Sequence, residues 1–132
     1  MAVANLTNEP QEIITGNDNI VIVNVIETIR GGRTLDVTGF APDVIHAGHV
    51  VIRETATGAY KPMPLNTAGT AYDVLPTGNT FAGILIASIL KKRPLAAILT
   101  RGTVNHLASQ IPMNTILVAV KAALPLIDFR ED

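Results

Sequence analysis

The sequence predicts a mainly β domain with one or two short helices near its C-terminus. Three observations lead to this prediction: β-branched residues crowd into short runs, turns rich in Gly and Pro separate those runs, and apolar residues show clear helical spacing in one place. The chain has 132 residues, of which 48% are hydrophobic and 16% are charged. This composition is typical of a folded chain, and the length suits one hydrophobic core.

The N-terminal residues differ from the rest. Residues 1–18 are polar, include Pro10 and Gly16, and show neither strand nor helix periodicity, so we expect a flexible arm. Residues 19–132 are expected to form a single β-rich domain. At its start, residues 20–29 carry β-branched side chains at almost every position, which predicts a well-buried strand.

Turn residues divide the next part of the chain. Gly31 and Gly32 favour a tight turn, and apolar and polar residues alternate again over residues 33–37, so we expect a hairpin with the first strand. Residues 49–55 also alternate and predict a third strand. Residues 56–80 are rich in Gly, Pro, Thr and Asn, which indicates long loops.

The C-terminal third contains both strands and helix. Residues 81–90 and 95–100 are apolar and favour β structure, so we expect two strands joined by a basic loop, Lys91-Lys92-Arg93-Pro94. A helix is predicted to begin at a cap, Asn114 or Thr115, and to stop at Pro125. Its apolar face would consist of Ile116, Leu117, Val120 and Leu124. A shorter helical turn over residues 105–110 and a last strand over residues 126–129 complete the prediction.

Charge and cysteine content argue against several classes of protein. Lys and Arg total 10 and Asp and Glu total 11, and the cations are scattered except at residues 91–93, so nucleic acid is not an expected partner. There are no cysteines, which excludes disulfides and thiolate chemistry. Because no basic leader or membrane-length apolar run is seen, we expect a soluble protein made in a cytoplasm, without a membrane partner.

No catalytic or metal-binding pattern is evident. His46 and His49 are three residues apart, which on a strand places them on opposite faces, so they are not expected to share a metal. Ser88 and Ser109 lie outside any Gly-x-Ser-x-Gly motif. We therefore expect no enzyme, no catalytic residue and no cofactor. The basic loop, Lys91, Lys92 and Arg93, is either a solvated tip or a possible contact with an acidic surface.

Four motifs follow one another in the second half of the chain. They are AGIL at residues 82–85, ILTRGTV at 98–104, a helix containing KAAL at 121–124, and LIDF at 126–129. Their order and spacing resemble the C-terminal half of the head decoration proteins of tailed bacteriophages, the family of the lambdoid capsid-stabilising protein. The match spans residues 48–129 and is clearest from residue 81. The family pattern lacks the predicted hairpin over residues 20–37.

The resemblance implies a fold, a partner and a place. The fold would be a small barrel or sandwich of the β-clip type, assembled as a homotrimer. The trimer would bind the major capsid protein at local three-fold positions on the outside of the virion, after synthesis in the bacterial cytoplasm. In such a protein the N-terminal arm contacts the capsid, and the arm residues without an evident core are Leu6, Ile13 and Ile14. An unpaired edge strand near residues 13–25 is a further candidate, because it could extend a sheet of the shell protein.

Two alternatives remain open at this point. The first is the base of a head fibre, which would need a further partner on its outer face. The second is a small β-clip ligand-binding module or enzyme, whose pocket would gather Tyr60, Lys61, Tyr72 and Asp73 from the long loop.

Overall fold

The computed structural model describes residues 15–131 and confirms a mainly β fold, with 38% strand and 9% helix. Helix α1 spans Asp18–Val21 and helix α2 spans Leu117–Ala123. The strands are β1 Ile22–Thr28, β2 Arg33–Thr34, β3 Val44–Ile45, β4 Val50–Glu54, β5 Tyr60–Pro62, β6 Asn79–Leu85, β7 Ile89–Leu90, β8 Leu95–Ala96, β9 Ile98–Asn105 and β10 Ile127–Arg130.

Six strands form the main sheet. Their order is β1-β9-β6-β4-β5, with antiparallel neighbours, and β10 pairs in parallel with the C-terminal half of β9. Two antiparallel ribbons, β2–β8 and β3–β7, lie outside this sheet. Since the end strands β1 and β5 do not pair with each other, the sheet described by residues 15–131 is open rather than a closed barrel.

The central strands β4, β6 and β9 are buried on both faces over residues 50–52, 83–85 and 98–99. Neighbouring side chains on these strands enter opposite hydrophobic clusters: Val50, Ile52, Ile84 and Leu99 in one, and Val51, Leu85 and Ile98 in the other. The first cluster is completed by α1, α2 and β10, and the second by the two ribbons through Leu35, Ile45 and Ala96. Two-sided burial explains why apolar residues stand next to one another in these segments, at positions 50–52, 84–85 and 98–99.

A hydrogen-bonded clasp holds α1 against this core. The two carboxylate oxygens of Asp18 accept bonds from the hydroxyl of Ser88 at 2.7 Å and from its backbone N–H at 2.9 Å. The Ser88 hydroxyl oxygen in turn accepts the N–H of Ala47 at 3.0 Å. Close packing adds to this, because a Cβ on Gly48, which has a φ of 90°, would collide with the side chain of Val21. Asp18 is thus fixed to the domain, although it is the last residue of the predicted arm.

Several predictions about strands require correction. Gly31 and Gly32 do form a turn with positive φ angles, but β1 pairs with β9 and β2 with β8, so the predicted hairpin is wrong. The predicted strand over residues 20–29 starts as helix α1, and its strand part is largely exposed rather than well buried. Residues 81–90 form two strands, β6 and β7, separated by a bend at Ala87, and residues 95–100 are divided between β8 and β9. The strands that flank the basic loop, β7 and β8, pair with β3 and β2 and not with each other.

The predictions for the C-terminal elements agree better with the structure. Helix α2 lies where the sequence predicts it and ends before Pro125, but its N-cap is Ile116 without a side-chain bond, so the predicted capping residues are wrong. The last strand is confirmed as β10. Residues 106–110 form turns and bends instead of a helical turn. Helix α1 is an element that the sequence pattern does not predict.

Candidate interaction surface

Strand β1 leaves the core directly after Ile22. The six residues that follow are all exposed. Val23 keeps 49% of its accessible surface, Val25 47% and Ile26 61%, and the neighbouring Ile20 of α1 keeps 55%. These four aliphatic side chains, here called the β1 surface, would place a large amount of apolar area in water if the protomer stayed alone.

The backbone of β1 is held on one side by β9. Asn24 lies opposite Thr103 and Val25 opposite Gly102. The approach is close, because a Cβ on Gly102 would collide with the carbonyl oxygen of Asn24. The hydroxyl of Thr100 also donates to the carbonyl oxygen of Glu27 at 3.2 Å. A glycine at position 102 is thus what allows β1 to sit against β9.

The other edge of β1 pairs with no strand among residues 15–131. Natural edge strands are commonly protected by Lys, Pro or bulges. β1 has irregular register at three points but no Lys or Pro, and Glu27 is its single charged residue. The irregular register interrupts the regular ladder that strand addition requires, whereas the exposed aliphatic side chains favour packing. The surface therefore suits a protein partner that covers side chains.

The other predicted contact residues have different outcomes. Leu6, Ile13 and Ile14 lie outside the described residues. Within the described part of the chain, the predicted edge strand near residues 13–25 corresponds to α1 and the first half of β1.

The basic loop is only partly available for a partner. The ammonium group of Lys91 donates to the carbonyl oxygens of Phe40 and Ala41 at 3.1 and 3.2 Å, and lies 3.6 Å from the carboxylate of Asp43. Lys91 thus holds the loop before β3 against the end of β7. Lys92 and Arg93 are half-buried and have interactions of their own. The loop is therefore not a solvated tip of three independent cations.

The predicted ligand pocket does not assemble. The ring of Tyr60 lies beneath the guanidinium groups of Arg33 and Arg53. The ammonium group of Lys61 lies 3.5 Å from the carboxylate of Glu54. The hydroxyl oxygen of Tyr72 is buried and accepts the N–H of a β4 residue, while a carboxylate oxygen of Asp73 accepts the next backbone N–H at 2.8 Å. Tyr72 and Lys61 line two different cavities, and neither of these includes Tyr60 or Asp73.

The two neighbouring histidines lie in a turn and not on a strand, so the reason given for separating them does not hold. Residues 46–49 form a turn, in which the N–H of His49 donates to the carbonyl oxygen of His46 at 3.1 Å, so the alternation rule for strands does not apply. Both side chains line one cavity. No group of three or more His, Asp or Glu residues suited to a metal occurs within residues 15–131.

Burial lowers the pKa of His49 to about 4, the hydrogen bond to Met63 opposes this effect, and the electrostatic interaction with His46 adds to it. In that bond Nε2 lies 2.9 Å from the carbonyl oxygen of Met63, so Nε2 carries the proton. At neutral pH the ring is therefore uncharged.

Comparisons with known proteins identify no relative: the chain matches no family model, no curated protein and no solved structure. Within residues 15–131, neither helix has the length and apolarity needed to cross a bilayer.

We expect Gly102→Ala to loosen β1, since the new methyl group must displace the Asn24 carbonyl. Hydrogen exchange of the β1 amides should become at least about tenfold faster. Gly16→Ala is the matched control, because a Cβ added to Gly16 would have no atom within 4 Å. Unchanged exchange in Gly102→Ala would show that β1 is not seated as described.

We also expect a pH-dependent loss of stability from His49. Its pKa is about 4 when folded and close to 6.5 when unfolded, so the unfolded state binds the proton first as the pH falls. This contribution is fully present above pH 6.5. The free energy of unfolding should therefore be about 2 kcal/mol lower at about pH 5 than it is above pH 6.5. Urea unfolding on the two sides of this range measures the difference. The drop should shrink in His49→Gln and persist in His46→Gln.

Proposed function

We propose that this chain is a capsid decoration protein of a tailed bacteriophage, which binds as a homotrimer to the major capsid protein on the outer surface of the head. The resemblance of residues 48–129 to that family is one support. A second support is the secondary structure at the four motifs, which is strand, strand, helix and strand (β6, β9, α2 and β10), the types that the resemblance implies.

The observation that carries the proposal is the β1 surface. The consecutive apolar residues of β4, β6 and β9, at positions 50–52, 84–85 and 98–99, are buried within the protomer. β1 also has consecutive apolar residues, Ile22-Val23 and Val25-Ile26, yet the described part of the protomer leaves all of them except Ile22 exposed. A sequence of this kind fits a strand whose cover comes from another subunit, because an interface between obligate partners resembles a divided core. In our proposal, the next subunit of the trimer covers the β1 surface.

Such a protein acts through binding energy and performs no reaction. Breaking the shell at a decorated position also requires breaking the trimer contacts, so their free energy is added to that of the lattice. After one subunit has docked, the other two are held at high effective concentration, which makes weak single contacts strong together. The proposal therefore involves no catalytic residue, cofactor, nucleic acid or membrane.

The arm would supply the contact with the shell. The arm would begin at the Asp18 clasp, which fixes the start of the domain. Leu6, Ile13 and Ile14 are the proposed capsid-facing residues. Lys92 and Arg93 are a second, smaller candidate contact.

Two alternatives differ in partner. A head fibre base would carry a further protein on its outer face and would still be a trimer on the head. A small ligand-binding module is favoured by one specific observation, the cavity beside His46 and His49. Analytical ultracentrifugation followed by co-pelleting with expanded phage heads separates these functions. A monomer that stays in the supernatant would contradict the decoration proposal.

We expect Ile26→Lys to weaken self-association by at least roughly tenfold, because the interface would bury an unpaired ammonium group where it now buries an aliphatic one. Sedimentation equilibrium measures the change. Val118→Lys is the matched control, since Val118 is 85% exposed on α2 and lies outside the β1 surface. Equal association of the two variants would exclude the β1 surface as the subunit interface.

Removal of residues 1–14 should abolish binding to expanded heads while the trimer stays intact. The deletion stops before Asp18, so the clasp that holds α1 is retained. Co-pelleting measures head binding, and sedimentation of the same sample measures the trimer. Full retention of head binding would show that the arm is not the capsid contact.

A further inference from the structure

A second feature of the molecule lies apart from the β1 surface. A cavity of about 350 Å³ is formed by the loop before β3, the turn after it, the segment between β5 and β6, and the turn at residues 110–111. Its volume lies near the lower end of the range for small-molecule sites, roughly 300–1,000 Å³. A dry cavity of about 150 Å³ is already large enough for benzene. A substituted aromatic ring is therefore the size of ligand that fits.

The inner wall is aromatic and already fixed in place. The ring of His49 stands edge-to-face with Phe40 at 5.4 Å and with Tyr72 at 5.1 Å between centroids. Tyr72 is held by the N–H of Val50, which donates to its hydroxyl oxygen at 3.1 Å. His49 is held by its bond to Met63. Binding would require little reorganisation of these side chains.

One hydrogen-bonding group in this wall has no partner within residues 15–131. Because Nε2 of His49 bears the proton, Nδ1 of the neutral ring is an acceptor with a lone pair. The hydrogen bonds of His49 within the described residues use Nε2 and the backbone N–H but not Nδ1. Nδ1 is also not completely enclosed by protein atoms. His49 is one of the residues that line the cavity, and Nδ1 is the ring nitrogen that its own hydrogen bonds leave for a ligand.

The charge of the lining argues against an ion. No Lys or Arg is among the lining residues, which disfavours an anion. Asp43 is present, but its carboxylate lies near the ammonium group of Lys91, which offsets its attraction for a cation. The remaining lining is mostly apolar and includes Leu65 and Ile111. These features favour a neutral molecule.

We propose that this cavity binds a small neutral aromatic molecule that carries an O–H or N–H donor. The ring of the ligand contacts Phe40, Leu65 and Tyr72, and its donor bonds to Nδ1 of His49. This is a binding activity in addition to capsid decoration, and it does not depend on the trimer or on the arm.

The test uses phenol as the probe and anisole, its methyl ether without a donor, as the comparison. Each is titrated into the full-length protein at neutral pH, and NMR follows the backbone amides and the imidazole nitrogens of His49. We expect phenol to shift the amides around the cavity and the Nδ1 resonance of His49. Anisole should bind at least about tenfold more weakly, since it cannot replace the missing donor.

Two variants locate the site. Ile111→Trp places a large side chain in the cavity and should abolish phenol binding, whereas Leu107→Trp adds the same side chain at an exposed position outside it and should not. If phenol causes no shifts at the cavity, or binds Ile111→Trp as well as the wild type, the site is excluded. Equal affinity for anisole would overturn the assigned role of His49. None of these results bears on sedimentation or head binding, so the decoration proposal is tested separately.

Discussion

Two-sided burial of β4, β6 and β9 is the constraint on which the rest of the structure depends. Three strands that are apolar on both faces need cover from two directions, and the remaining elements supply it: helices and β10 on one face, two short ribbons on the other. Gly83 shows how tight the arrangement is, because a Cβ there would collide with the backbone of Leu99. The ribbons are only two residues long in each strand, so their position depends on the sheet they cover.

The sequence predicts elements well where local chemistry decides and poorly where distant pairing decides. β4, α2 and β10 follow from their own residues, whereas the predicted strand over residues 95–100 is divided between β8 and β9. The Gly31-Gly32 turn is also predicted correctly, yet β2 pairs with β8, more than sixty residues away, and a turn signal cannot specify that partner. Helix α1 escapes prediction because the bond that fixes it joins Asp18 to Ser88. The shared cavity of His46 and His49 also escapes prediction, because a rule for strands does not hold in a turn.

β1 illustrates a more general ambiguity in reading burial from sequence. A run of β-branched residues indicates a strand whose side chains are buried, but it does not indicate which chain buries them. The consecutive β-branched residues of β4, Val50 to Ile52, are buried within the protomer, whereas those of β1 are exposed in the described residues. Gly102 lets β1 approach β9 closely but does not indicate what covers the outer side of β1. The two proposed sites follow from such details of packing, since neither could be located from motifs.

The Asp18 clasp has a mechanical consequence. A pull on the residues before Thr15 reaches Asp18 before it reaches the first paired residue of β1. The carboxylate passes the tension through Ser88 to Ala47, that is, to the segments that follow β6 and β3. The force is thus shared by several parts of the domain, and β1 is not unzipped from β9 one residue at a time. A domain tethered by its N-terminus would keep its edge strand in place under strain from the surface beneath it.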